Sequence, residues 1–600
     1  MNHQEIQNEL LQVRKEMAEL PSGYISKKNI NGKTRYYLQW VENGKKKSKY
    51  FDDVFADDLR AKIEKRRELQ KREKELVFML PKPQKAEKKE ETKRVFKTEV
   101  MLGESLKSYV QTVANYKKRN LYKGICNYIY GDVRDKVLIL YGLRRTGKTT
   151  LIRQVMAEMN DEDFSKTAFI QVGAGIGLSD INQDLKHLMN GGYKYVFIDE
   201  VTLIKDFIEG AALFSDIFAA CGMKIVLSGT DSLGFFFSED EQLYDRCIFL
   251  HTTFIPYREF EEVLGIKGID EYICYGGTMS LGGVHYNERS TFANKKSVDE
   301  YVDSAIAKNI QHSLKYYQYG GHFRALYDLY EKNELTSAIN RVVEDVNHRF
   351  TLDVLTKDFI SHDLGVSAKN LRNDRQNSND ILDRIDKEEF TKRLKNLLEI
   401  RNKEEQTVTI SEDHRREIKE YLDALDLTVD IDIQTLPVGR GKNFKTVFTQ
   451  PGIRYSQAKE LVQSLFEDGE FQALSIDERN AVIERILSDI KGRMMEDIVL
   501  LETKIANPKK QVFQLQFAVG EFDMVVADNT NATCEIYEVK HSKEQAKEQY
   551  RHLMDEEKLK STAFRYGKII KKVVIYRGEN TTLDNGIEYR NVEEYLKSLV

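Results

Sequence analysis

The 600 residues carry 92 Lys and Arg against 96 Asp and Glu, a net charge of −4, with 41% hydrophobic and 31% charged side chains. A chain this long exceeds what one hydrophobic core serves, so about three to five globular domains are expected, and a fibrous or low-complexity protein is excluded. The longest apolar run, Val137 to Tyr141, is strand-sized, far short of the roughly 18–20 residues of a membrane span, and the start MNHQEIQNELLQ has no apolar signal core, so a cytoplasmic protein without membrane contact is expected.

In chain order, Gln4 to Leu20 reads as a short helix ended by Pro21-Ser22-Gly23. Two Asn-Gly turns, at 31–32 and 43–44, then separate three runs rich in Tyr, Ile, Trp and Val. Asn-Gly supplies the positive φ of tight hairpins, so residues 1–52 are expected to hold a helix and a three-stranded antiparallel sheet. Eight basic residues crowd 22–50 against Glu42 alone. Of these Lys27, Lys28, Lys33, Arg35, Lys45, Lys46 and Lys47, interleaved with Tyr36 and Trp40, are candidate nucleic-acid contacts. A small domain whose aromatics form its own core stays open as the other reading. The sheet is similar to those preceding catalytic domains in some recombinases. Residues 53–98 read as a charged helix (54–76) and a Lys/Glu-rich linker, Pro81 to Lys97.

From 99 to 264, the strand-like runs KVLILYG, AFIQVG, YVFIDE and IVLSGT alternate with helical stretches, which predicts a parallel α/β sheet. VLILYGLRRTGKTTLIRQV places G-x-x-x-x-G-K-[ST] between a strand and a helix. Gly142, Leu143, Arg144, Arg145, Thr146 and Gly147 would wrap backbone N–H groups around phosphates at a helix N-terminus, and Thr150 would follow in its first turn. Lys148 would reach the β and γ phosphates of ATP, and the Thr149 hydroxyl would ligate Mg²⁺. Asp199 and Glu200 end a buried strand. Asp199 would hold the Mg²⁺ and Glu200 would deprotonate the attacking water. Ser228 and Thr230, at the next strand end, would sense the γ-phosphate.

On GLRRTGKTT, the IDE strand end, LSGTDSL, IPYREF and YGGTMS, the chain resembles archaeal-type AAA+ ATPases, which often carry a nuclease-like C-terminal domain. The resemblance covers roughly residues 120–600 and implies an oligomer with a nucleotide-sensing or finger arginine, at the place of Arg246 here. YGGTMS departs from the family, which more often has proline after the glycines.

Residues 265–375 are expected to form a helical lid, ending in a helix-turn-helix or winged helix at FISHDLGVSAKNLRN. Contact with DNA and a purely structural lid both stay open there. Residues 376–480 read as a mixed connecting region, and 481–600 as a small α/β domain. In the latter, GEFDMVVAD and CEIYEVKHS place Asp523 on one strand and Glu538 with Lys540 on one face of the next. Glu496 lies on the preceding helix. Two or three carboxylates can hold Mg²⁺ against a phosphodiester, with Glu496, Asp523 and Glu538 as ligands and Lys540 positioning water. This order resembles the PD-(D/E)xK nucleases, and Gln549-Tyr550, on an expected helix, is similar to a supporting glutamine motif there. The whole reads as a multidomain α/β protein in which ATP controls a Mg²⁺-dependent DNase, in defence or mobile-element biology. The other reading is a nucleotide-dependent DNA-binding or signalling switch that does not cleave. The five cysteines, without CxxC spacing, suggest reduced thiols rather than disulfides or zinc.

Overall fold

The computed structural model describes in the main residues 24–30, 33–42, 45–51 and 56–79, then, with short gaps, 96–230, 245–278, 295–357, 409–467 and 472–599. Two compact units result, Met1–Val95 and Phe96–Val600. In the first, β1 (Tyr24–Ile30), β2 (Lys33–Glu42) and β3 (Lys45–Phe51) pair antiparallel in that order, followed by α1 (Ala56–Met79). Side chains of the candidate nucleic-acid residues there lie outside the described residues, as do most of the expected first helix, nearly all of the linker and the helix-turn-helix at 359–373.

The second unit opens with a six-stranded sheet. Its strands are β4 (Glu99–Met101), β5 (Val137–Tyr141), β6 (Thr167–Gln171), β7 (Tyr195–Asp199), β8 (Lys224–Gly229) and β9 (Cys247–His251), in the order β4-β6-β7-β8-β5-β9. All run parallel except β4. The apolar runs are continuous because both faces are covered. Val137 and Ile139 enter one core and Leu138 and Leu140 the other, as a period of two requires. Helices α2 (Gly103–Gln111), α3 (Tyr122–Tyr130) and α4 (Lys148–Ala157) supply one covering layer, and α5 (Leu178–Asn190) the other. The sequence reading missed β9, whose five residues are all half-buried and lack the apolar saturation of the central strands.

After β9, α6 (Tyr257–Leu264) and α7 (Ile269–Tyr275) precede further helices, including α8 (Leu335–Lys357) and α9 (Glu412–Ala424). An eight-stranded sheet follows, in the order β11-β10-β12-β13-β14-β15-β17-β16. It comprises β10 (Thr428–Leu436), β11 (Asn443–Phe448), β12 (Gln511–Phe517), β13 (Glu521–Asp528), β14 (Thr533–Val539), β15 (Lys568–Tyr576), β16 (Thr581–Thr582) and β17 (Glu588–Asn591). Helices α10 (Pro451–Gln463), α11 (Ile476–Ala506), α12 (Glu556–Tyr566) and α13 (Val592–Ser598) complete it. β10 pairs parallel with β12, so the expected boundary at 480/481 would cut one continuous sheet; that boundary is corrected. TVDIDIQTL reads as strand-like within the expected mixed region and forms β10, but its partner β12 comes much later in the chain. One core unites Phe254, Tyr257, Phe260 and Tyr272 with Ile486, Met495 and Leu501 of α11 and with Met524 and Tyr537 of the sheet. Among the described residues no helix is long and apolar enough to cross a membrane.

Candidate functional site

The P-loop follows β5. Gly142 has φ +136°, and a Cβ there would stand 2.3 Å from the Thr252 carbonyl oxygen, so only glycine lets the chain leave β5 this close to the end of β9. Thr146 closes the loop by donating to the Leu143 carbonyl (2.7 Å), and its side chain meets the Thr252 hydroxyl (3.1 Å). Leu143 is buried in the helical core beyond the sheet. Arg144 donates to the Ser304 carbonyl (3.0 Å), and the Arg145 guanidinium lies 5.3 Å from the centre of the Tyr301 ring. Gly147 caps α4, with Lys148, Thr149 and Thr150 in its first turn.

Lys148 is buried inside the loop, donating to the carbonyls of Gly142 (2.9 Å) and Leu143 (2.8 Å), and burial lowers its ammonium to about 8. The Thr149 hydroxyl donates to Asp199 Oδ2 at 2.7 Å, joining the helix start to the tip of β7. Glu200 takes a left-handed backbone (φ 57°), a conformation costing a non-glycine residue about 1–3 kcal/mol and concentrated at functional sites. Burial, then the neighbouring Asp199 charge, raises its carboxyl above its ordinary value. The oxygen donors of Thr149 and Asp199 fit Mg²⁺.

Ser228 donates to Asp199 Oδ1 and Thr230 to Glu200 Oε2 (3.2 Å), so in this structure they orient the two carboxylates. Arg246 immediately precedes β9, and Cys247 pairs with Val137 at the start of β5, so Arg246 sits at the end of the sheet opposite the P-loop, bonded to Asp216 (2.7 Å). It is not part of this site within its own chain. The sequence reading also missed Arg119. This buried guanidinium pairs through Nε with Glu259 (2.5 Å) and donates to the carbonyls of Thr146 (2.7 Å), Thr253 (3.3 Å) and Phe254 (3.2 Å). Glu259 belongs to the IPYREF segment singled out above; nothing local in YKKRN marks its partner.

In the C-terminal sheet, Asp523, Glu538 and Lys540 meet. Asp523 Oδ2 accepts from the Val539 N–H (2.8 Å) and the Lys540 ammonium (3.0 Å), which also reaches Glu538 Oε2 (2.7 Å). Burial and then the Asp523 charge raise the Glu538 carboxyl far above its ordinary value. Burial also pushes Asp523 upward, but Lys540 and the Val539 N–H outweigh it and hold that carboxyl low. The two acids therefore take opposite protonation preferences. Glu538 Oε1 is buried without a hydrogen-bond partner.

Glu496, raised by burial to about 7, is electrostatically coupled to Asp523 and Lys540, but its own contact is Arg493 (2.6 Å). Among the described residues no group of three or more His, Cys, Asp and Glu converges to hold a metal ion, so the expected three-carboxylate set is corrected to a pair. A pair still fits Mg²⁺, which keeps its waters and takes one or two carboxylates beside substrate phosphates. Gln549 is also corrected. Residues 541–553 form a loop with short turns rather than a helix, and Gln549 bonds the Glu544 carbonyl (2.9 Å), the Ala546 N–H (3.1 Å) and the Tyr589 hydroxyl (3.1 Å), bracing its own loop.

Helix α11 joins α6 to the C-terminal sheet. The Tyr257 N–H, at the start of α6, donates to buried Glu502 of α11 (2.7 Å), the helix that also carries Glu496. Asp270, opening α7, bonds His541 (2.9 Å) and Arg577 (2.6 Å), one residue from Lys540.

Comparison with known proteins agrees with the first site. Residues 134–261 match the family described as AAA domain, and residues 3–61 match a domain of unknown function, DUF6788. No curated protein matches. Among solved structures, similarity extends to the Aeropyrum pernix ORC2 protein in its ADPNP-ADP complexes, at 14% identity over 63% of this chain and 99% of that one, with a TM-score of 0.25. The A. pernix ORC1 protein in complex with DNA matches at 13% identity over 58% of this chain and 92% of that one, with a TM-score of 0.20. C. elegans PCH-2 matches at 19% identity over 27% of this chain but only 46% of its own length, with a TM-score of 0.17. Scores at this level decide nothing about function. Residues 134–261, with the P-loop at their start, are thus similar to an AAA domain within a longer chain.

Proposed function

We propose that this chain is an ATP-hydrolysing AAA+ protein acting on nucleic acid, DNA in the first place, whose nucleotide state governs phosphodiester cleavage in the C-terminal sheet. The observation that carries the reading is the junction of P-loop and β7, where Thr149 meets Asp199 at 2.7 Å beside a buried Lys148. Lys148 neutralises phosphate charge, Thr149 and Asp199 hold Mg²⁺, and Glu200 accepts the proton of the attacking water. The ion supplies charge neutralisation of the phosphates.

The nuclease half is supported by the strand sequence α11-β12-β13-β14-α12-β15, with three antiparallel strands and a fourth parallel to the third, and by the unpartnered oxygen of Glu538. There Asp523 and Glu538 would hold Mg²⁺, which lowers the pKa of a bound water. Lys540 orients the phosphate and balances developing charge. Glu496 and Arg493 tune the field from α11. The basic β1–β3 sheet would add backbone contacts through Lys27, Lys28, Lys33, Arg35 and Lys45–Lys47, and self-association would complete the ATP site.

One observation favours the alternative, a nucleotide-dependent switch that does not cut: the Lys540 ammonium already bonds both Asp523 and Glu538. Incubation with Mg²⁺, ATP and linear or circular DNA decides between them. Cleavage by the intact chain that is lost in Asp523→Ala, and altered in Lys148→Ala, supports the nuclease. Undiminished cutting by Asp523→Ala removes it, and ATP turnover without any cutting in Mg²⁺ or Mn²⁺ leaves the switch.

A further inference from the structure

Lys558, on α12, is 8% exposed, and among the described residues its ammonium bonds His552 Nδ1 (2.5 Å). No carboxylate of the described residues forms an ion pair with it, although its stem lies against the Phe517 ring (5.3 Å to the centre). An ammonium this buried ordinarily has an anion beside it, because taking the charge out of water is costly. Gly520 makes the arrangement possible. With φ +78° it brings the β12–β13 hairpin so close that a Cβ would lie 2.8 Å from His552 Nε2 and 2.9 Å from Lys558 Nζ.

Leu553, beside His552, packs in the same core as Ile536, and strand alternation sends Glu538 to that face, so Lys558 and the carboxylate pair share one side of the sheet. Burial lowers the Lys558 ammonium, and the Asp555 charge and then that of Glu538 pull the other way without either carboxylate bonding it.

We propose that Lys558, with His552 beside it, forms a subsite for a backbone phosphate of a nucleic-acid strand, next to the phosphate handled at Glu538 and Lys540. The inference rests on the nucleic-acid reading above and extends it by giving the strand a second point of attachment. One phosphodiester oxygen accepts from the Lys558 ammonium, supplying a directly bonded anion. A second charged contact one or more nucleotides from the cleaved bond fixes register without reading sequence. A free phosphate carries the same chemistry, so the test includes it.

The test uses the full chain in Ca²⁺, with a fluorescent oligonucleotide duplex titrated across a series of salt concentrations. Lys558→Gln is expected to weaken binding about 5- to 10-fold and to flatten the slope of log K against log salt by about 0.9, the loss of one phosphate contact. Lys558→Arg, keeping the charge, should restore most of both. Lys558→Met, whose chain still covers Phe517, repeats the loss if charge rather than packing matters. Unchanged affinity and slope in Lys558→Gln overturn the proposal. So does protection of wild type, but not Lys558→Gln, against thermal unfolding by inorganic phosphate when oligonucleotide binding is unaffected, since the occupant is then a small anion. A Lys558-dependent slope in a chain that cuts nothing in Mg²⁺ supports the subsite and sinks only the nuclease. A chain that binds no nucleic acid sinks both.

Discussion

Replacing Arg119 by Met tests the idea that one buried ion pair shapes the P-loop. Its guanidinium is 4% exposed and Glu259 is 3% exposed, so neither charge is screened by water. Removing one partner of such a pair strands the other, at about 3–5 kcal/mol. The Thr146 and Phe254 carbonyls lose a donor as well, at about 1–3 kcal/mol each where no water replaces it. The stranded charge alone therefore sets an expected loss of at least about 3 kcal/mol. The double variant Arg119→Met with Glu259→Leu removes both charges and should recover most of the stability, because apolar replacement of a buried pair is often neutral. It should not recover nucleotide affinity, because the Thr146 carbonyl still lacks its Arg119 donor. Melting of the full chain gives the first quantity, and calorimetric titration with ATP and Mg²⁺ the second. A single variant as stable as wild type, or a double variant with full ATP affinity, refutes the reasoning.

Glu200→Gln should bind ATP normally while turnover falls about 10²- to 10⁴-fold, the usual contribution of a general base; steady-state turnover near wild type would remove Glu200 from that role. Glu502, 6% exposed, is raised by burial from 4.5 to about 7, so the folded state binds its proton more tightly than the unfolded chain. Stability should therefore fall as pH rises from about 4.5 to about 7, by about 3 kcal/mol in all, and level off above that. Subtracting the melting profile of Glu502→Gln, which keeps an acceptor for the Tyr257 N–H, isolates this effect. Parallel pH profiles for the two proteins would contradict it.

The parts legible in the sequence were those whose physics is local. A strand, a glycine-bounded loop and a helix lie within VLILYGLRRTGKTTLIRQV, and the carboxylates at 199 and 200 end an apolar strand, so their chemistry could be named before any contact was known. Alternation likewise put Glu538 and Lys540 on one face, where they are bonded. What escaped the reading depends on pairs far apart in the chain. Arg119 and Glu259 are 140 positions apart, and Tyr257 and Glu502 are 245 apart, separations at which no spacing rule operates. Arg246 lies just before the unrecognised strand β9, and it is that strand, not the order of motifs, that fixes which end of the sheet it occupies. Gln549 was misassigned because charged, turn-poor residues can read as helix although three hydrogen bonds of the Gln549 side chain stabilise a loop.

The apolar interior shared by α6, α7 and α11 has a practical consequence for anyone dividing this molecule. A fragment ending near 261, the end of the AAA match, would bare Phe254, Ile255, Tyr257 and Phe260 to water. One beginning at 476 would bare the opposing side of α11 and would also lose β10 and β11 from the sheet edge. Each piece would present a sticky face of the kind that drives precipitation. The end of the AAA match and the C-terminal sheet come as a single casting.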